Sequence, residues 1–421
     1  MNVISRSFRR RAAIVGAMFA ALMLVGNLPA TAAPTVTSTI PVGSSPRSVA
    51  FTPDGSSAYV TNWEDSTVSV IDVGPGTVAT TISVVGSPLD VAVTPDGSTA
   101  YVTSAGSDTV SVLDVATGTV TNTIAVGETP LAVAFAPDGL TAYVTGGDGE
   151  SGTVTVIHVD SGTVTGTIPV GPLPNDVAFT QDGSKAYVTN GQDSNMVSII
   201  DVDTSTWTST IPVGSSPTSV AFTPDGSKAF VANNEGDSVS VIKVATDRVT
   251  STIPVGWAPD SVAIAPDGST AYVTNSGSDT VSVIDVATGT VTAAVQVGAH
   301  PTGVAVAPDG SAVYVVNTAS GTVSVIEDPA PVFTAATPPA KATARVAYSY
   351  TFAATGDPAP TFHVTSGTLP EGLSLDAATG ILSGTPLKAG KFTFTVTASN
   401  GVSPDAVTDR ITITVTKGKV R

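Results

Sequence analysis

Residues 261 to 285 read S-V-A-I-A-P-D-G-S-T-A-Y-V-T-N-S-G-S-D-T-V-S-V-I-D, and the chain writes this pattern seven times. The aspartate of its turn recurs at 54, 96, 138, 182, 225, 267 and 309, at intervals of 42, 42, 44, 43, 42 and 42 residues. Self-similarity at that period means an array of structural units. Within one unit, V-A-I-A and A-Y-V-T-N flank P-D-G. Runs of Val, Ile, Thr and Tyr favour extended backbone, proline pre-sets the first bend, and glycine takes the positive φ that ends a hairpin. Asp54, Asp96 and their equivalents therefore read as turn formers, since a catalytic carboxylate has no reason to recur in seven copies of one turn.

Downstream of A-Y-V-T-N come a short polar loop, T-V-S-V-I-D-V, A-T-G and T-V-T-x-T-I-P-V-G. Each unit is thus predicted to be a four-stranded antiparallel meander. Pro41, Pro169, Pro212 and Pro254 fall in the fourth strand, which places it at the outer edge, where a missing N–H is tolerated. The third strand, with Val281, Val283, Ile284 and Val286, is apolar on both faces and suits a sheet held between two neighbours. One such sheet cannot bury both faces; seven arranged radially can. Thr35 to Val42, T-V-T-S-T-I-P-V, matches a fourth strand but precedes the first complete unit. The seventh unit ends at its third strand, Thr322 to Ile326, before Glu327-Asp328-Pro329-Ala330-Pro331. The ring is therefore expected to close by joining the two ends.

Tyr59-Val60-Thr61-Asn62, Tyr187-Val188-Thr189-Asn190 and Tyr272-Val273-Thr274-Asn275 resemble the motif of the YVTN family of seven-bladed β-propellers. Degraded copies stand at Tyr101 to Ser104, Tyr143 to Gly146, Phe230 to Asn233 and Tyr314 to Asn317. The resemblance covers about Thr35 to Asp328 and implies surface-layer, envelope or secreted proteins. Beyond it, Val346, Tyr348, Tyr350 and Phe352 alternate, as do Phe392, Phe394 and Val396, and Ile411, Ile413 and Val415, which suits a small β-sandwich. Leu369-Pro370-Glu371-Gly372-Leu373-Ser374-Leu375 and Thr379-Gly380-Ile381-Leu382-Ser383-Gly384-Thr385-Pro386 resemble the Ig domain of bacterial surface proteins, a relative of cadherin-like modules. The expected fold is all-β: residues 33–328 form a seven-bladed β-propeller, 329–340 a Pro-rich linker, and 341–421 an Ig-like β-sandwich.

Arg6, Arg9, Arg10 and Arg11, the apolar run from Ala12 to Val25, and Ala30-Thr31-Ala32 have the layout of a secretory signal peptide over residues 1–32. The apolar run is shorter than the ~20 residues of a spanning helix. The chain is expected to be exported, secreted or associated with the cell surface. Without residues 1–32, 13 basic residues face 34 acidic ones, a net charge of −21. Such a surface repels phosphate backbones, so nucleic acid is excluded as a partner. The chain has no cysteine, which excludes thiol chemistry and Cys-based metal sites.

Three histidines exist, too dispersed for a multi-histidine metal centre. His158 fills a slot held elsewhere by Asp72, Asp114, Asp201 and Asp285. His363 alternates with Phe362 and Val364 and should face solvent, and His300 sits beside Pro301 in a loop leading into the seventh unit. There is no G-x-S-x-G, phosphate loop or metalloprotease helix. Cadherin-like relatives imply calcium between modules, but the matching acidic clusters are missing. No cofactor is expected, and calcium is the single alternative.

The P-D-G and A-T-G turns belong to one end of the ring and barely vary, whereas the loops at the other end vary freely and suit recognition. The loops leading into the blades carry Arg47, Asp90, Glu128, Asn175, Asp176, Trp257, Asp260 and His300. Those between second and third strands add Trp63, Glu64, Asp148, Glu150, Gln192 and Asp193. Of these, Arg47, Trp63, Asp90, Glu128, Asp176, Trp257, Asp260 and His300 form the candidate ligand surface. Exposed tryptophan in a loop points to stacking on a partner, whereas Trp207, in a fourth strand, is expected to pack on the neighbouring blade. The leading expectation is a monomeric binding or scaffold protein for an envelope protein or glycan, without enzymatic activity. The alternative is a metal-assisted propeller enzyme of lactonase or lyase type, with His300 as base and Asp90, Glu128 or Asp260 on a divalent cation.

Overall fold

A computed structural model describes residues 33–418 except 148, 150, 192, 193, 357, 358, 401, 403 and 404. The signal-peptide segment and the loop residues Asp148, Glu150, Gln192 and Asp193 lie outside the described residues. Seven four-stranded antiparallel sheets follow one another along the chain. Blade one is Pro46–Phe51, Ser57–Asn62, Thr67–Asp72 and Thr77–Ser83, from inner to outer strand. Blade seven takes Pro301–Val306, Val313–Asn317 and Thr322–Glu327 from the end of the array and its outer strand, Thr35–Pro41, from the start. Ile40 pairs with Val323 in that ladder and is 3% exposed, so the closing strand buries side chain as well as backbone.

The core lies between blades. Val68, Val70, Ile82, Val91, Ala100 and Leu113 form one of its clusters, which joins blades one and two, and equivalent clusters repeat around the ring. Tyr101 stacks edge-on against Phe135 of the next blade at 4.9 Å, and Phe51 meets Tyr314 at 4.8 Å across the closure. Such aromatic pairs add about 1 kcal/mol beyond their buried area. The P-D-G aspartates are turn formers as expected: Asp54 accepts hydrogen bonds from Thr52 Oγ1 at 2.6 Å and from the Ser56 N–H at 3.0 Å.

The Y-V-T-N threonine is a latch. The Thr103 hydroxyl accepts the Asp90 N–H of its own inner strand at 3.0 Å and donates to the Leu131 carbonyl of the next blade at 2.8 Å. Thr61, Thr145, Thr189 and Thr274 repeat the arrangement, donating to Leu89, Asn175, Thr218 and Thr302. Blades five and seven carry Ala232 and Val316 at that position, and other side chains bridge instead. Thr218 and Asn234 donate to the Pro259 carbonyl, and Thr302 and Thr318 donate to the carbonyls of Arg47 and Pro46. The motif is therefore chiefly an inter-blade fastening.

Trp207 departs from expectation. It is 42% exposed on an outer strand, where its indole N–H donates to the Ser209 carbonyl of its own strand. Outer strands lie at the periphery, and their large side chains have little neighbouring blade to pack against.

Past the propeller, Phe352, Phe362, Leu382, Phe394, Val396 and Ile413 form the core of the Ig-like region. Val332–Ala335, in the segment read as linker, is a strand that pairs with Ala353–Thr355 and brings Phe333 against that core.

Candidate binding site at the channel mouth

The inner strands line the central channel, and six of the seven begin at a proline: Pro46, Pro88, Pro174, Pro217, Pro259 and Pro301. In blade three Pro130 holds the same place just ahead of its inner strand, Val133–Phe135. In blade one the pairing register slips between Pro46 and Val49, and the other prolines that start a strand show the same irregularity. Such a bulge re-aims the side chains beside it. Arg47, Asp90, Asp176 and Asp260, read from sequence as loop residues, therefore stand on the inner strands, one or two places beyond the prolines.

Arg47 is half-buried, and its guanidinium carbon lies 5.5 Å from the centre of the Trp63 ring, a cation–π arrangement. Its Nε is buried and has no acceptor among the described protein atoms. Behind it, Thr302 Oγ1 donates to the Arg47 carbonyl at 2.9 Å. Gly303 sits so close that a Cβ there would come within 2.7 Å of the same oxygen.

Asp260 belongs to blade six, at the inner-strand place that Thr302 holds in blade seven and Arg47 in blade one. Burial pushes its carboxyl above the ordinary carboxylate value, while the charges of His300 and Arg47 oppose that shift. His300 is exposed at φ +55°, and its N–H donates to Asp279 Oδ1 at 2.8 Å. Blades six, seven and one thus bring Asp260, His300, Arg47 and Trp63 to one side of the channel mouth.

A second pair lies in the channel. Asp90 accepts Ser48 Oγ at 2.6 Å and the Val133 N–H at 2.9 Å, clipping three neighbouring inner strands together. Asp176 accepts the Val220 N–H at 2.9 Å. Burial, assisted by the negative charge of Asp90, pushes the Asp176 carboxyl up to about 7. Burial raises Asp90 as well, against the hydrogen bonds from Ser48 and Val133.

The remaining predicted residues stand apart from these groups. Glu128 is exposed on the rim, and Trp257 is 60% exposed beside Gly277. Among the described residues no three His, Asp or Glu side chains come together in a cation-binding arrangement. The charge background is uneven. Residues 33–328 carry 29 acidic side chains and five basic ones: Arg47, Lys185, Lys228, Lys243 and Arg248. Lys185 pairs with Asp247 at 2.6 Å, Lys228 donates to the Val286 carbonyl, and Lys243 and Arg248 are ladder partners across strand ends on the P-D-G side of blade five, so Arg47 alone among them stands at the channel mouth.

Two recesses open on the opposite, P-D-G face. One of about 640 Å³ lies between blades two and three, lined by Asp96, Tyr101, Asp138 and Val159; another of about 540 Å³ lies between blades four and five. Their repetition at equivalent seams marks them as products of the architecture. Hydrogen bonds from Thr94 and Ser98 hold Asp96 in its turn and keep its carboxyl below the usual value.

Fold and site together define a seven-bladed β-propeller with a polar, aromatic-flanked channel mouth and an Ig-like appendage. The chain belongs to the family described as "Lactonase, 7-bladed beta-propeller", which it matches over residues 27–170 and 211–329. Residues 330–416 match the family described as "Putative Ig domain". A solved structure titled Kuenenia stuttgartiensis Hydrazine Synthase is similar at 24% identity and a TM-score of 0.64, covering 72% of this chain and 99% of that one. That likeness concerns the fold alone. No curated protein matches the chain.

The sequence reading missed Ser48, Thr302 and Thr318 as parts of the mouth. The two residues after each proline, Arg47-Ser48, Leu89-Asp90, Leu131-Ala132, Asn175-Asp176, Thr218-Ser219, Asp260-Ser261 and Thr302-Gly303, form two variable columns between a constant proline and a constant valine, and they contain the signal for Ser48 and Thr302 but not for Thr318.

Proposed function

We propose that this chain is an exported binding or scaffold protein that engages a protein or glycan of the cell envelope through the channel mouth and its rim. The observation that carries the reading is the Arg47 guanidinium, half-buried against Trp63, with its Nε lacking an acceptor among the described residues. A buried donor without a partner costs about 1–3 kcal/mol, a penalty that a ligand acceptor removes. Trp257, 60% exposed on the same face, supplies an aromatic platform at the rim. Export is supported by the residue 1–32 pattern, and among the described residues no helix is long and apolar enough to cross a membrane.

The test is binding of the full chain to arrayed envelope polysaccharides and proteins, with Trp63→Ala and Trp257→Ala beside Leu140→Ala, which alters a P-D-G turn residue on the other face. Loss of binding in the tryptophan variants alone supports the reading. Undiminished binding in both tryptophan variants contradicts it.

A second reading, hydrolysis, draws on the Asp90 and Asp176 pair. A carboxyl titrating at about 7 can both give and take a proton at neutral pH, and the chain's family is described as lactonases. Turnover of any member of a lactone panel that Asp176→Asn abolishes would establish it.

A further inference from the structure

The geometry points to a carboxylate subsite at Arg47 that takes a singly charged acidic sugar of the uronic acid type, an inference that rests on the binding role proposed above. Arg47 stands at the mouth of an otherwise acidic ring and has no ion pair among the described residues. Its carbonyl is pinned by Thr302 and its guanidinium lies over Trp63, so the fork is held in place before a ligand arrives. A planar guanidinium held this way matches a carboxylate in two parallel hydrogen bonds.

Two further features select what the carboxylate is attached to. Asp260, two blades round the ring at the matching strand position, is an acceptor for a ligand hydroxyl. Burial raises its carboxyl above the ordinary value, against the opposing charges of His300 and Arg47. The edge of the mouth carries the half-buried ring of Trp63 and the exposed imidazole of His300, an aromatic and polar surface for a hydroxylated ring. With 29 acidic side chains in the propeller, long-range repulsion disfavours a polyanion, so the remainder of the ligand is uncharged. A free peptide carboxyl terminus shares the carboxylate but lacks the hydroxyls that Asp260 would accept.

The experiment is calorimetric titration of the full chain with glucuronate, its methyl ester, glucose and N-acetylglycine, repeated on Arg47→Lys, Asp260→Asn and Leu140→Ala. Glucuronate is expected to bind at least tenfold more tightly than the other three probes. Arg47→Lys, which keeps the charge and loses the fork, should weaken it at least tenfold, and Asp260→Asn should weaken it less. Leu140→Ala should bind as the unaltered chain does, and unchanged melting of Arg47→Lys would show that the loss is local. Equal binding of glucuronate and its ester, indifference to Arg47→Lys, no glucuronate binding at all, or preference for N-acetylglycine would each overturn the assignment. The array measurement separates the failures. Ligands that bind through Trp257 but ignore Arg47→Lys leave the binding role standing and remove the carboxylate subsite.

Discussion

Thr302 Oγ1 donates to the Arg47 carbonyl at 2.9 Å, joining residues 255 positions apart in the sequence. This contact lies where blade seven meets blade one, so the seam that closes the ring also fixes the strand that carries Arg47. Gly303 is what lets the two inner strands approach. Any side chain there meets Arg47 O at 2.7 Å and Ser48 Cα at 3.0 Å, both backbone atoms that cannot swing away. Gly303→Ser is therefore expected to lower stability by roughly 1–3 kcal/mol through overpacking and to reduce any binding that depends on Arg47. Denaturant unfolding checks the first effect, and an unfolding midpoint equal to that of the unaltered chain would count against the close seam.

The closing strand makes a separate prediction. Ile40 is buried in a cluster with Val49, Ile71, Val316 and Val323, so Ile40→Ala should cost about 2–5 kcal/mol. An effect below about 0.5 kcal/mol, the range of ordinary surface positions, would mean that Thr35–Pro41 does not complete blade seven.

The latch threonines can be tested one at a time. Thr103→Val keeps the shape but removes both the acceptor for the Asp90 N–H and the donor to the Leu131 carbonyl, leaving buried backbone groups unpaired. The expected loss is about 1–3 kcal/mol. The same change at Thr121, whose hydroxyl bonds the Val112 carbonyl on an exposed outer strand where water can replace it, should cost much less. Equal effects at the two positions would remove the fastening role assigned to the motif.

Stability should depend on pH in two opposed stages. Asp176 titrates near 7 when folded, above its ordinary value of 3.8, so the folded state holds the proton more tightly. Stability then rises as pH falls from about 7 towards 3.8, by at most about 1.4 kcal/mol per pH unit. Asp90 and Asp260 are shifted in the same direction. Below 3.8 the turn aspartates reverse the trend. Asp54, Asp96 and Asp182 lie below that value when folded because Thr and Ser hydroxyls and N–H groups bond their carboxylates, and protonation forfeits this. Thermal melting from pH 8 to 3 should pass through a maximum in mildly acidic solution. Asp176→Asn should flatten the rise, and an unaltered slope would contradict the assignment.

Much of the architecture was legible because a radial array repeats its chemistry. The seven P-D-G turns, the doubly apolar third strands and the unmatched strand at Thr35 led to blades and to a closure between the two chain ends, which the pairing of Thr35–Pro41 with Thr322–Glu327 bears out. The site was legible only as a surface. A bulge after each proline decides which way Arg47, Asp90, Asp176 and Asp260 point, and residue types alone do not announce it. Nor does sequence bring Trp63 over Arg47, since that contact depends on where the loop after Asn62 folds back to Ser45. The exposure of Trp207 is not legible from its place in a fourth strand, which does not reveal how far the neighbouring blade extends.

The central claim is that the face carrying the prolines and variable loops is the working surface. Hydroxyl-radical footprinting of the full chain, with and without envelope extract, tests it most directly. Protection at Trp63, Trp257 and His300, with Leu140 on the P-D-G face still fully reactive, is the predicted result. Protection of Leu140 with Trp63 and Trp257 unchanged would contradict the claim.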